Sequence, residues 1–262
     1  MNKGQYIEAI VKGVEVYFRS FALADGISHQ NGDIEWIAPL PGFRGPALVF
    51  RVSLSDVTGE VIERLIPDLQ NGNIPSCWVL SPLSNPEIFD VLLSNGFKGG
   101  AGSGEYGMAM DVNSLSDLRT PSNLIEVKKV TSVTDFKVWM DVVNTALHGW
   151  AMLTIEQYSA WLEREGLAFY LGYLDGMPVS TAATFRDGKS AGVEFVSTLK
   201  EYRRQGAAYA VCHKALCDLQ GNNVETATLV SLSEADRLYE TLGFRPYYEQ
   251  LLFSFQKAGH EA

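Results

Sequence analysis

The stretch VSTLKEYRRQGAAYAVCHKALCDLQG, Val196 to Gly221, decides how this chain is read. Its first residues close a run of strand character from Ala191 to Thr198. Its last part places Ala208, Val211, Cys212, Ala215, Leu216 and Leu219 on one face of a helix, with Gly221 as the C-terminal stop. Between them lies Arg203-Arg204-Gln205-Gly206-Ala207-Ala208. A loop that enters a helix presents N–H groups with no intrahelical acceptor, and the helix dipole favours an anion there. Gly206 permits positive φ or close backbone approach, and Ala207 and Ala208 keep bulk away. Lys200, Arg203 and Arg204 against Glu201 leave a local surplus of positive charge. Two readings fit these residues: a phosphate-binding loop, or an ordinary strand-to-helix turn with solvated arginines.

Working outward, Leu167 to Leu174 and Pro178 to Phe185 flank the hairpin dipeptide Asp175-Gly176, and Asp187-Gly188 turns the chain into Ala191 to Thr198. The spacing predicts an antiparallel meander. Downstream, Val224 to Val230 reads as a strand, and Ser231 stands at capping-box distance from Glu234. Ala235, Leu238, Tyr239 and Leu242 share a helical face that Gly243 ends, and Tyr247 to Phe255 reads as one final strand. Upstream, a short strand near Ile125 to Val130 precedes a helix from Phe136 to Leu147. These elements make one α+β unit.

The loop resembles the phosphate loop of the GNAT superfamily of acyl-CoA N-acyltransferases, Q/R-x-x-G-x-G/A, at Arg203, Gly206 and Ala208. The family's second signature, a tyrosine-bearing helix ending in L-G-F, is matched by RLYETLGFRP, Arg237 to Pro246, in the expected order. The resemblance covers about half of the chain and implies a mixed, mostly antiparallel sheet flanked by helices. It also implies an N-acetyltransferase that moves an acetyl group from acetyl-CoA to a small-molecule or peptide amine. The alternative is a non-catalytic acyl-CoA-binding sensor or scaffold.

Such chemistry needs a base for the amine proton, donors at the carbonyl oxygen and an acid for the thiolate. Tyr239 matches the family's thiolate-protonating tyrosine, though it also fits a core position. By strand alternation Glu194, Val196 and Thr198 share a face, which makes Glu194 a candidate base or simply a cross-strand charge. The resemblance further implies that Val196 and Thr198 bond pantetheine through their backbone. Arg203, Arg204, Gln205, Gly206, Ala207 and Ala208 would then hold the phosphates, and Ser233 stands where the family often has Asn. His148 and Trp150 could line an acceptor pocket, or could cap and pack the preceding helix.

An internal echo bears on the first half. DLQNGN at Asp68 to Asn73 returns as DLQGNN at Asp218 to Asn223, each followed by a strand-like run, an amphipathic segment and a Gly-Phe pair. The pairs are Gly96-Phe97 and Gly243-Phe244. A duplication is expected in which the first copy has lost the chemistry, since Ser53, Asp56 and Leu92 stand where Arg203, Gly206 and Tyr239 do. The polar segment at 114–123 reads as a linker between a degenerate domain at 1–113 and a catalytic domain at 124–262. The glycine-rich run Gly99 to Gly107 precedes a strand, the reverse of what a phosphate loop requires, so it reads as a flexible loop.

Composition narrows the remaining classes. The chain has 262 residues and a net charge of −10, which disfavours nucleic acid as a partner, because such a surface needs clustered Lys and Arg. Three cysteines without a CxxC pair predict free thiols and no metal site. No long apolar run is present, so a soluble, cytoplasmic protein without membrane contact is expected, as a monomer or homodimer.

Overall fold

A computed structural model describes residues 1–22, 27–31, 34–53 and 59–256. The first half begins with α1 (Lys3–Ala22), followed by β1 (Ile27–Asn31), β2 (Ile34–Ala38), β3 (Leu48–Val52), α2 (Gly59–Asn71), β4 (Cys77–Leu80), α3 (Glu87–Ser94), β5 (Phe97–Gly100) and β6 (Glu105–Asp111). The second half runs β7 (Ile125–Lys129), α4 (Val133–Val143), α5 (Ile155–Tyr158), β8 (Leu167–Leu174), β9 (Met177–Asp187), β10 (Ser190–Thr198), α6 (Ala207–Gly221), β11 (Thr226–Leu232), α7 (Asp236–Thr241), β12 (Arg245–Glu249) and β13 (Leu251–Phe255).

These strands form two sheets, β1-β2-β3-β4-β13-β5 and β12-β6-β11-β10-β9-β8-β7. All pairings are antiparallel except β3 with β4 and β10 with β11. The order β3-α2-β4-α3-β5 is repeated by β10-α6-β11-α7-β12, and Gly96 and Gly243 take matching φ values of 87° and 90°. The echo in the sequence is therefore an echo in the fold, and the architecture is a tandem of two mixed, mostly antiparallel units.

Each half lends the other a strand. β6 lies between β11 and β12, and β13 lies between β4 and β5. A cut at 113/114 therefore does not separate the two sheets. Tyr247 to Phe255, expected as one strand, divides at Gln250, which is buried with its N–H on the Glu105 carbonyl at 2.7 Å. The Gly-rich run is not a free loop at this junction: the N–H groups of Gly102 and Gly104 donate to the Glu249 carboxylate at 3.0 and 3.1 Å. The expected linker begins as a short 3-10 turn, Val112–Asp117, with Leu115 buried in the core.

The seven-stranded sheet is covered on both faces. Val211, Ala215 and Leu216 of α6 pack with Ala182, Ala191 and Val193 on one side. On the other, Phe136 and Trp139 of α4 join Phe21 of α1 against Phe169, Ala183 and Phe185. α1 also faces the six-stranded sheet, where Phe18 stacks on Phe50 at 5.6 Å and Arg19 grips the buried Glu35 with two bonds of 2.8 and 2.6 Å. Burying a carboxylate is costly unless it is paired, and Arg51 adds a third contact at 3.2 Å. The helix α1 thus sits between the halves.

Candidate active site

The hairpins form as expected, with Asp175 and Gly176 at φ 50° and 80°, and they deliver β10 beside β11. These two strands pair only from Ser190–Thr226 to Gly192–Thr228. Beyond that point β10 stays with β9 as far as Thr198–Ser180, while β11 stays with β6 as far as Leu232–Glu105. The sheet therefore opens into a cleft walled by residues 193–198 and 229–232.

A bulge deforms the wall that carries the candidate base. The β9–β10 register shifts between Glu194 and Ser197, and Phe195 takes φ 51°, which is uncommon outside glycine. Glu194, Val196 and Thr198 consequently do not share a face. Val196 packs with the α6 core, whereas Glu194 folds back over Gly192, where an added Cβ would meet its Oε1 at 3.3 Å. Sequence alternation has no means of registering one extra residue. Two residues not singled out from sequence, Ser180 and Thr181, fix the bulge. Thr181 Oγ1 donates to the Phe195 carbonyl at 2.8 Å and Ser180 Oγ to that of Ser197 at 2.6 Å. The adjacent polar pair within the strand was their available signal.

At the end of β10 the loop reaches α6 as the sequence suggested. Gly206 is the N-cap residue at φ 86°, with open space where a Cβ would stand. The first helical bond runs from the Ala210 N–H to the Gly206 carbonyl at 3.0 Å, so the N–H groups of Ala207, Ala208 and Tyr209 precede the ladder. Arg204 also takes positive φ, at 64°. Arg203, Arg204 and Gln205 are exposed, with Arg203 Nε on the Thr198 carbonyl at 3.2 Å. The cradle suits a pyrophosphate: free donors, no Cβ at its entrance and two arginines at its rim.

Across the cleft stands Tyr239, on α7. The helix starts at Asp236, later than the capping box implied, and Ser231 Oγ bonds the Asp236 carboxylate at 2.5 Å instead of capping toward Glu234. Tyr239 is buried edge-on to Phe244 at 6.0 Å, and its hydroxyl has no protein partner among the described residues. The side chain of Ser233 lies outside the described residues, as does Asp56. Ser53 is described and accepts from Arg51 Nη1 at 3.0 Å.

Burial dominates the electrostatics. It pushes the Glu194 carboxyl up to about 8, although the side chain keeps some solvent exposure. Burial, then Cys212 and then Glu194 hold the Tyr239 phenol well above its ordinary range. Cys212 is itself pushed up to about 12 by burial, so it is a thiol and not a nucleophile. No group of His, Cys, Asp and Glu among the described residues is arranged to hold a metal ion, and no described helix is long and apolar enough to cross a membrane.

Residues 136–244 match the family model described as Acetyltransferase (GNAT) family. The second half carries a GNAT domain. No curated protein matches the chain. Among solved structures, a GCN5-related N-acetyltransferase from Kribbella flavida is 18% identical with a TM-score of 0.67, covering 95% of this chain and 96% of that one. A GCN5-related N-acetyltransferase from Sphaerobacter thermophilus is 12% identical at a TM-score of 0.62, covering 86% and 80%. A tandem GNAT protein from the clavulanic acid biosynthesis pathway is 10% identical at 0.59, covering 99% and 96%. At these identities the likeness is one of fold, and it extends over both halves. The GNAT domain supports acyl transfer in general terms.

His148 closes a π-helical turn at the end of α4, its Nε2 buried without a partner among the described residues, and burial lowers its pKa. Trp150 is exposed beneath the Arg44 guanidinium at 4.9 Å. Neither caps the turn by a hydrogen bond.

Proposed function

We propose that the protein transfers an acetyl group from acetyl-CoA to a primary amine by direct attack. Gly206 and the N–H groups of Ala207 and Ala208 bind the pyrophosphate, with Arg203, Arg204 and Gln205 at its edge. The unpaired wall of β10, through the backbone of Val196 and Thr198, bonds the pantetheine as an added strand would. Ser233, after β11, lines the far side through its backbone.

Glu194, when ionised, takes the amine proton as nitrogen forms its bond to the acyl carbon. The carbon–sulfur bond then breaks, and Tyr239 gives its proton to the departing thiolate. A base that titrates near 8 is ionised to a useful degree at neutral pH while remaining basic. A phenol held above its ordinary range stays protonated until the thiolate forms. The observation that supports this reading is the parting of β10 from β11, which opens the sheet along the stretch of β10 that carries Glu194 and leads on to Gly206. The donor is expected only in the second half, and no metal is required.

Thiol release from acetyl-CoA with a set of primary amines tests the reading. Turnover should fall by about 10²-fold or more in Tyr239→Phe while CoA binding persists, as expected for loss of a general acid. Tight CoA binding with no turnover on any amine would favour a sensor or scaffold.

A further inference from the structure

The first half has no assigned part in the proposed chemistry, yet its helix α1 runs along the cleft face that carries Glu194. Tyr17 packs edge-on against Phe195, the residue after Glu194, and against Phe185, each at 5.5 Å. It also meets Phe21 at 5.2 Å, and Phe21 in turn meets Tyr158 of α5 at 5.9 Å. Both tyrosines therefore stand on one aromatic floor beside the bulge. The charge on Glu194 acts on Tyr17, and Tyr158 acts on it as well.

Buried phenols almost always find a hydrogen-bond partner. Tyr209 does so, donating to the Arg119 carbonyl at 2.8 Å. The hydroxyls of Tyr17 and Tyr158 have none among the described residues, and neither is sealed from solvent. Two phenol oxygens carried by this aromatic floor, beside the bulge that follows Glu194, are thus left with bonding capacity. Among the described residues no lysine or arginine acts on the ionisation of Glu194, Tyr17 or Tyr158, and the charge that Glu194 presents when ionised is negative. The ring of Tyr17, only partly buried, adds an electron-rich face.

We infer that Tyr17, Tyr158 and Glu194 form the acceptor subsite, which takes a primary ammonium group, and that α1 of the first half completes it. This rests on the acyl-transfer reading above. The carboxylate binds the cation and passes one proton from it to solvent; the neutral amine then attacks, and the re-ionised Glu194 takes the second proton as the nitrogen–carbon bond forms. The two hydroxyls orient the nitrogen and the aromatic face attracts the charge. A first half without a phosphate loop keeps a function in this arrangement: it supplies Tyr17 to the acceptor pocket.

The test uses the full chain and the substitutions Tyr17→Phe and Tyr158→Phe, which keep the ring packing and remove only the hydroxyls. Thiol release is followed with benzylamine, cadaverine and lysine as probes, and thermal melting checks folding. Each substitution should raise the amine KM by about tenfold, the scale of a hydrogen bond to a charged group, with the acetyl-CoA KM changed by less than about twofold. Turnover with an unchanged amine KM in both variants overturns this assignment and leaves the transfer reading standing. Equal movement of both KM values, the mark of a merely structural role, overturns it too. A wild type that binds acetyl-CoA but releases no thiol with any probe overturns both.

Discussion

The Glu249 carboxylate accepts the backbone N–H of Gly104 at 3.1 Å, joining residues 145 apart in sequence at the point where the two halves exchange strands. The same oxygen accepts from Gly102, and Ser103 Oγ donates to the Gln250 carbonyl at 2.6 Å. One crossing is thereby pinned to the other.

Replacing Glu249 by Ala leaves these two N–H groups to solvent. Bonds to a charged acceptor that is partly exposed should make the loss about 1–2 kcal/mol of stability. Denaturant unfolding measures it, and an unchanged midpoint would show that the carboxylate is incidental to the junction.

Because β13 is an interior strand of the six-stranded sheet, truncation after Gln250 should unfold the first half as well as the second. Phe253 and Phe255 leave the core with it, and Leu252 loses its partners Val79 and Gly100. Circular dichroism of the truncated chain should show loss of cooperative melting. A first half that melts normally would contradict the interlocked arrangement.

Glu194 links activity to pH. As a base it must be ionised, so kcat/KM should rise with pH and level off above about 8. Glu194→Gln should lower the plateau by about 10²-fold and abolish that limb. A limb that persists in the variant would assign the titration to another group.

Glu194 also links stability to pH in the opposite sense. Its folded carboxyl holds a proton up to about 8, against 4.5 as its ordinary value. Between these pH values the unfolded chain binds fewer protons, so this group's contribution is full below 4.5, declines through the window and is lost above about 8. The stability of Glu194→Gln relative to the parent should therefore increase from pH 5 to pH 8. A difference that stays flat would mean the carboxyl is not buried.

The passage from β10 through the loop to α6 was legible because the sequence changes period there, from two to 3.6, and places Gly206 at the change. The helix that carries Tyr239 was legible through its Leu242-Gly243-Phe244 ending. The strand exchange was not, because EYGMAMD and LLFSF declare themselves as strands without declaring a partner. Nor was the bulge at Phe195, where one extra residue redirects Glu194 while leaving composition unchanged. Tyr17 could have been found: Ile10, Val14, Tyr17 and Phe21 recur at helical spacing near the chain's start, and α1 buries that face. Its place beside Phe195 depended on a contact between the two halves, which no local pattern declares.

The central claim is that Gly206 opens the cradle for the CoA pyrophosphate, and the most direct measurement is calorimetric titration of CoA into the parent and Gly206→Leu. The variant carries about 1–2 kcal/mol of backbone strain from its positive φ, which thermal melting will register separately. The parent should bind, and the variant should bind at least about tenfold more weakly while still folding, the loss of roughly one charge-assisted hydrogen bond. Equal affinity in the two proteins would contradict the account.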